Sequence, residues 1–329
     1  MVARALLDEL TFGAVSRRER PVASHVPYTR HVDDHIIKTR DGLVMTVLKL
    51  DGYSFETSDM SEVNSRLLGR NDVIRTLANS RFALVSHIIR REVQPRIDST
   101  FDNPLCRELD ERYDAALSQR RMFVNDIYLT IVRRPLQGQA GTFDLMLTKL
   151  LGRKDEAGES VAMQTALTEL RDAATAVRET LAGYGARQLG VVRRDGVWFS
   201  EPLEFLVQIL DGGIPRPMHL PRLDIADALS MKRIFFGRNA IEIRGAGPED
   251  TRFGAMVSIR EYPAQTGPGS FDNLLRVPHE FIATQSFAIV DRPEAAKQID
   301  RGSRQVDMSD EAGSIVAEHL DDARDEPLA

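Results

Sequence analysis

Apolar positions along this chain switch repeatedly between a spacing of two and a spacing of three or four, which predicts strands interleaved with helices. The runs Ile36-Ile37-Lys38-Thr39 and Leu43-Val44-Met45-Thr46-Val47-Leu48 flank Arg40-Asp41-Gly42. An Asp-Gly pair tolerates positive φ, so these runs predict a hairpin, with a third short strand at Ser54 to Glu56 after Gly52. Ser58 or Asp59 is placed to cap a helix reaching about Asn79, with Val63, Leu67, Val73, Ile74 and Leu77 on one stripe. Phe82 to Ile89 reads as a buried strand. Leu105, Leu109, Tyr113 and Leu117 recur every four residues within Pro104 to Arg121, which predicts a helix with those side chains aligned on one face. Asn125 to Val132, rich in β-branched and aromatic residues, follows as a strand.

A Gly, Gln and Lys-rich stretch from Gln137 to Gly158 precedes a long helix, about Ser160 to Tyr184, whose Leu167, Leu170, Ala174, Val177 and Leu181 repeat at three or four. Next come a strand at Gln188 to Arg193, an Asp195-Gly196 turn, a strand at Val197 to Ser200 and a helix from Pro202 to about Leu210. Gly212 to Pro217 is a loop by composition. Ile234-Phe235-Phe236, Ala240 to Ile243 and Phe253 to Ile259 predict a three-strand meander. A turn at Pro268-Gly269, a short helix at Phe271 to Leu275, a strand at Phe281 to Ile289 and helical propensity from Pro293 complete the chain. The pattern gives an α/β (α+β) class: mixed β-sheets with packed helices in two similar subdomains, and no P-loop RecA-like domain. The expected division is an N-terminal arm at 1–26, a first α/β subdomain at 27–150, and the long helix plus a second α/β subdomain at 151–329.

The 329 residues suffice for a sizeable core, and hydrophobic and charged fractions of 42% and 28% are those of an ordinary folded protein. A net charge of −6 disfavours a general affinity for nucleic acid. The single cysteine, Cys106, excludes an internal disulfide and fits a reducing compartment; within an amphipathic turn it reads as a small buried hydrophobe. No apolar run reaches the roughly 18 residues of a membrane helix, and Met1 to Glu19 has no signal-peptide pattern, so the expected location is cytosolic.

Three constellations carry candidate chemistry. A phosphate-cradling loop needs Gly-x-x-x-x-Gly-Lys-Ser/Thr; the nearest segments, around Gly152 to Ser160 and Gly267 to Ser270, have the wrong spacing or lack the lysine. In a strand, His31, Asp33 and His35 would share one face, the arrangement of a metal-dependent hydrolase; the competing view is a solvated strand edge leading into Ile36. The pairs Arg90-Arg91, Arg133-Arg134 and Arg193-Arg194, like Arg120-Arg121, end strands or helices, where they either grip a phosphate or an acidic partner, a protein partner being favoured by the net negative charge, or bridge to the abundant acids. An edge strand open to a partner's strand or helix is a further means of recognition.

From Pro27 onward the chain resembles the N-terminal region of the VirB/TrbE/CagE-type type IV secretion ATPase. The resemblance rests on segments in family order: Pro27 to Asp34, Lys38 to Gly42, Leu50 to Thr57, His87 to Arg91, Asn125 to Thr130, Ile259 to Pro263 and Phe281 to Phe287. It implies a cytoplasmic protein peripheral to the inner face of the bacterial inner membrane. Inner-membrane and other ATPase components of the secretion system would be its partners, with self-association of the full-length form. In the family the Walker motifs of a RecA-like motor lie beyond the segment resembled here. ATP and Mg are therefore expected only in a full-length protein, and no catalytic, cofactor or metal residue carries over. The resemblance thus implies a docking and assembly region, not an enzyme by itself; the alternatives are the metal-dependent hydrolase at His31, Asp33 and His35, and a nucleic-acid-binding entry module.

Overall fold

A computed structural model describes residues 20–53, 59–77, 81–94, 100–134, 156–259, 274 and 277–289. The chain divides into two compact units, residues 1–41, 87–127 and 189–284 forming one, and 42–86, 128–188 and 285–329 the other. In chain order the strands are β1 (Tyr28–His31), β2 (Ile37–Thr39), β3 (Val44–Leu50), β4 (Phe82–Val93), β5 (Met122–Arg133), β6 (Arg187–Gln188), β7 (Val191–Arg194) and β8 (Val197–Ser200). They continue as β9 (Arg233–Phe236), β10 (Ile241–Arg244), β11 (Arg252–Gly254) and β12 (Phe281–Ala288). The helices are α1 (Met60–Thr76), α2 (Pro104–Ser118), α3 (Glu156–Thr180), α4 (Glu201–Leu210) and α5 (Ile225–Leu229). The result is an α+β protein with mixed and antiparallel sheets, as the alternating pattern predicts. Expectations at Ser54 to Glu56, Ser58, most of Gln137 to Gly158, Pro268-Gly269, most of Phe271 to Leu275 and Pro293 onward lie outside the described residues.

The second unit is built on α3. Leu167, Leu170, Ala174, Val177 and Leu181 are all buried, and α3 lies against α1, β3 and β6. Val44 through Leu48 are buried on both faces of β3, which is why that stretch reads as a continuous apolar run instead of an alternating one. Strand β6 pairs antiparallel with β3, Leu48 opposite Gln188, and the sheet continues in the order β3-β5-β4-β12. On α1 Val73 is buried and Ile74 exposed, and Leu77, which caps the helix, is buried. Arg66 latches α1 to the end of the long helix: its guanidinium lies 3.6 Å from the Tyr53 ring centre and donates to the Gly183 carbonyl at 2.7 Å.

In the first unit β1 and β2 form an antiparallel pair, with His31 opposite Ile37. The Asp41-Gly42 turn after β2 falls where predicted, Gly42 taking φ +80°. Strands β7 and β8 are joined by a two-residue turn in which Asp195 and Gly196 both have positive φ, 49° and 83°; such a turn matches the twist of its strands. Ser200 ends β8 and caps α4, its hydroxyl accepting from the Leu203 N–H at 3.3 Å. Helix α4 then buries Leu203, Phe205, Leu206, Val207 and Gln208. Helix α5, which periodicity does not reveal, is capped by Asp224 and buries Ile225, Ala226 and Leu229. The meander is present in the order β11-β10-β9, but its third strand stops at Gly254 instead of running to Ile259. Gly254 already faces Ile241, the first residue of β10, and the preceding Ala240 carbonyl is taken by the Gly237 N–H.

An ionic clasp joins the meander to the end of α4. Lys232 Nζ sits 2.5 Å from Asp250 Oδ1 and 3.8 Å from Asp211 Oδ2, and Arg216 Nη2 sits 3.0 Å from the same Asp211 oxygen. Asp211 and Lys232 are buried. Burial pushes the Asp211 carboxyl above its ordinary range against the pull of Arg216 and Lys232, whereas the Lys232 hydrogen bond holds Asp250 below it.

Candidate functional site

The segment expected to present His31, Asp33 and His35 on one strand face is not a strand. Strand β1 ends at His31, and Asp33 turns the chain by accepting the backbone N–H groups of His35 (2.9 Å) and Ile36 (2.8 Å) with one carboxylate oxygen. A short polar side chain offers the backbone an alternative to the ladder, and here it wins. The two histidines then serve separate partners. His35 Nδ1 lies 2.9 Å from the Leu189 carbonyl, which can only accept, so that nitrogen carries the hydrogen. His31 Nε2 lies 2.9 Å from the Ser200 hydroxyl. Burial lowers the His31 pKa, outweighing a hydrogen bond to the Asp33 backbone and the charges of Asp33 and Asp34, which raise it. Gly190 is required beside this turn, since a Cβ there would come within 2.6 Å of the His35 ring. The geometry fits a fastening between the turn and residues 189–200, and among the described residues no group of three or more His, Cys, Asp or Glu is placed to hold a metal.

The arginine pairs are engaged within the protein. In the first unit Arg91 Nε donates to Asp126 at 2.8 Å and Arg90 Nη1 to Asn125 at 3.1 Å, with the Arg90 guanidinium 4.5 Å from the Phe123 ring centre. Arg121 stacks on the same ring at 5.3 Å and reaches Glu92 at 2.6 Å. Arg193 stacks on Trp198 at 5.7 Å; Arg194 pairs with Glu204 at 2.6 Å. In the second unit Arg133 meets Glu169 at 3.1 Å, and Arg134 donates to the carbonyls of Phe82 (3.1 Å) and Ile289 (3.0 Å). Arg81 shares the Glu169 carboxylate. These contacts favour bridging to local acids over a preformed grip on phosphate.

The surface best suited to a partner is the aligned apolar face of α2. Helix α2 begins with Asn103 as its cap and Pro104 in its first turn, and none of its side chains is buried. Leu105, Leu109 and Tyr113 are exposed, as are Phe101 nearby and the free thiol of Cys106. The expected burial of Cys106 is therefore corrected, while the alignment of Leu105, Leu109 and Tyr113 on one face holds. The spacing identified the stripe correctly but carried no information on what covers it. Trp198 and Val197 at the β7–β8 turn, and Phe236, Phe253, Met256 and Val257 around the meander, are further exposed apolar groups.

Comparison with known proteins places the chain. Residues 35–140 match the family model described as type IV secretion system ATPase VirB4/TrbE, N-terminal domain, and residues 187–326 match that of the CagE, TrbE, VirB family, component of type IV transporter system. Together they define a type IV transporter component. The type IV secretion system protein virB4 of Bartonella henselae is 32% identical over 313 residues, covering 95% of this chain and 39% of that protein. Its counterpart from Bartonella quintana is 33% identical over 319 residues, again 95% and 39%. The type IV secretion system protein PtlC of Bordetella pertussis is 27% identical over 328 residues, 96% of this chain and 38% of PtlC. The chain belongs to the VirB4/TrbE family, in its N-terminal region, and spans about two fifths of the length of these relatives. Among the described residues no helix is long and apolar enough to cross a membrane.

Proposed function

We propose that this chain is the docking and assembly region of a type IV secretion ATPase, and that nucleotide turnover belongs to other parts of such a protein. The observation that carries this reading is α2, a 15-residue helix that buries no side chain and exposes Leu105, Leu109 and Tyr113. Exposed apolar ridges on folded proteins mark interaction sites. The non-catalytic part of the reading is supported by the sequence: no glycine is followed by a lysine anywhere in it, and a phosphate-cradling loop of the Walker type needs that pair. ATP and Mg are assigned to a full-length protein. Inner-membrane and other ATPase components of the secretion system are the proposed partners, reached from the cytoplasmic side.

Overproduction tests the reading in cells whose secretion machine contains a full-length relative. A docking region without a motor occupies places in the machine and lowers substrate transfer, and Leu109→Asp removes that interference while leaving the fold intact. Equal interference by Leu109→Asp would contradict it.

A further inference from the structure

The meander ends on a strand that the sequence continues and the fold does not. Phe253, Ala255, Val257 and Ile259 alternate with other residues, the period of a strand with one covered face. Only Arg252, Phe253 and Gly254 find partners on β10, and β11 is the end strand of its sheet. The apolar row is bare: Phe253, Val257 and Ile259 are 75%, 94% and 50% exposed, and Met256 between them 85%. No backbone hydrogen bond joins Ala255 to Ile259 to another described residue, and a Cβ at Gly254 would meet nothing within 4 Å.

Proteins that keep a strand edge free blunt it with charge or proline; Phe253 to Ile259 holds neither. Instead the uncharged stretch is bracketed by Arg252 and Arg260. Strand alternation gives both arginines the parity of Met256, and Glu261 the other. A second copy of the chain fits this edge poorly. The antiparallel pairing that overlaps the full stretch sets Arg252 against Arg260 at both ends, and the parallel one sets each arginine against itself; like charges directly opposite are destabilising. The fitting occupant is a strand with apolar residues at alternate positions, no charge within the paired stretch, whose burial would be costly, and an acid at either end.

We propose that the edge of β11, continued through Ile259, takes up such an extended, acid-bracketed apolar segment of another protein by strand addition; this rests on the docking function proposed above and defines the chemistry of one partner. A single added strand covers less than the roughly 1,200 Å² of a standard interface, so the contact is weak by itself.

The probe is a dye-labelled synthetic peptide with valine alternating with threonine over seven positions and glutamate at both ends. Titrated with the 329-residue chain up to about 500 μM, a range suited to so small a contact, its fluorescence anisotropy should rise to saturation. Lysine in place of the two glutamates weakens binding about fivefold or more. Val257→Asp weakens it at least about tenfold, with circular dichroism showing that the fold persists. The same peptide N-methylated throughout, which cannot form a ladder, does not bind. Absence of saturable binding, equal binding of the N-methylated peptide, or indifference to Val257→Asp overturns the proposal. So does a dimer in sedimentation, or binding to anionic phospholipid vesicles, that Val257→Asp abolishes, since either assigns the stretch to a different occupant. Peptide binding that meets these criteria while cellular interference ignores Leu109→Asp leaves this edge standing and withdraws the docking reading of α2.

Discussion

Replacing Lys232 with Met removes one charge from the buried clasp while keeping the side-chain stem. Lys232 stands between Asp250 at 2.5 Å and Asp211 at 3.8 Å, with 5% of its side chain exposed. At an effective dielectric constant of about 20, unit charges at the Asp211 distance attract by about 4 kcal/mol. Breaking a buried pair from one side typically costs 3–5 kcal/mol, because the remaining charge is left in a poor medium. Asp211 retains Arg216 at 3.0 Å and can take up a proton, so the loss should fall near the lower end, about 3 kcal/mol. The urea midpoint then drops by about 1–3 M at ordinary slopes. Asp250→Asn should cost less, since an amide oxygen there can still accept from Lys232 Nζ and Lys232 keeps Asp211 as a counter-charge.

The pH dependence has a definite sign. Asp211 already has a raised pKa, and losing Lys232 raises it further, so the folded state binds the proton more tightly than the unfolded state. Stability then falls as pH rises from the ordinary carboxylate range toward the folded pKa, and the deficit of Lys232→Met should be larger at about pH 8 than at about pH 5. Adding Asp211→Asn should recover part of the loss. A Lys232→Met midpoint equal to that of the parent, or a double variant worse by the full cost of Asp211→Asn alone, would refute the reasoning.

His31 has a depressed pKa, so the unfolded state takes up its proton first; stability should decline as pH falls below the ordinary histidine value of about 6.5. His31→Gln should flatten that decline in urea midpoints, and an unchanged slope would remove His31 as its source. Gly196→Val places a β-branched residue at φ 83° and should cost about 1–2 kcal/mol. Asp195→Asn, suited to the same turn, should stay within about 0.5 kcal/mol of the parent. Leu170→Ala, in the buried face of α3, should cost about 2–5 kcal/mol, whereas Leu109→Ala on exposed α2 should cost under about 0.5 kcal/mol in a thermal melt; equal losses would contradict the assigned faces.

That last pair illustrates what sequence can reveal here. Leu167, Leu170, Ala174 and Val177 on α3, with Leu181 just past its end, and Leu105, Leu109 and Tyr113 on α2 obey the same helical spacing, yet the first set is buried and the second exposed. Periodicity records that a face is apolar, and the partner covering it is written elsewhere in the chain or in another chain. The Asp195-Gly196 turn was legible because its backbone demands those residues locally. The His31 segment was not, because a strand and an Asp-stabilised turn both tolerate His-Val-Asp-Asp-His; the hydrogen bonds from Asp33 decide between them. Helix α5 is five residues long, too short for a periodic signal. The arginine pairs were visible as pairs, but their partners were not: Glu169 lies 36 residues beyond Arg133, and Asp126 lies 35 beyond Arg91.

The central claim, that this region docks and does not hydrolyse nucleotide, is tested most directly by measuring ATP binding and turnover of the 329-residue chain beside a relative of full length. Saturable binding and turnover are expected from the full-length protein and neither from this chain. Turnover by the purified 329-residue chain that survives removal of contaminating ATPases would contradict it.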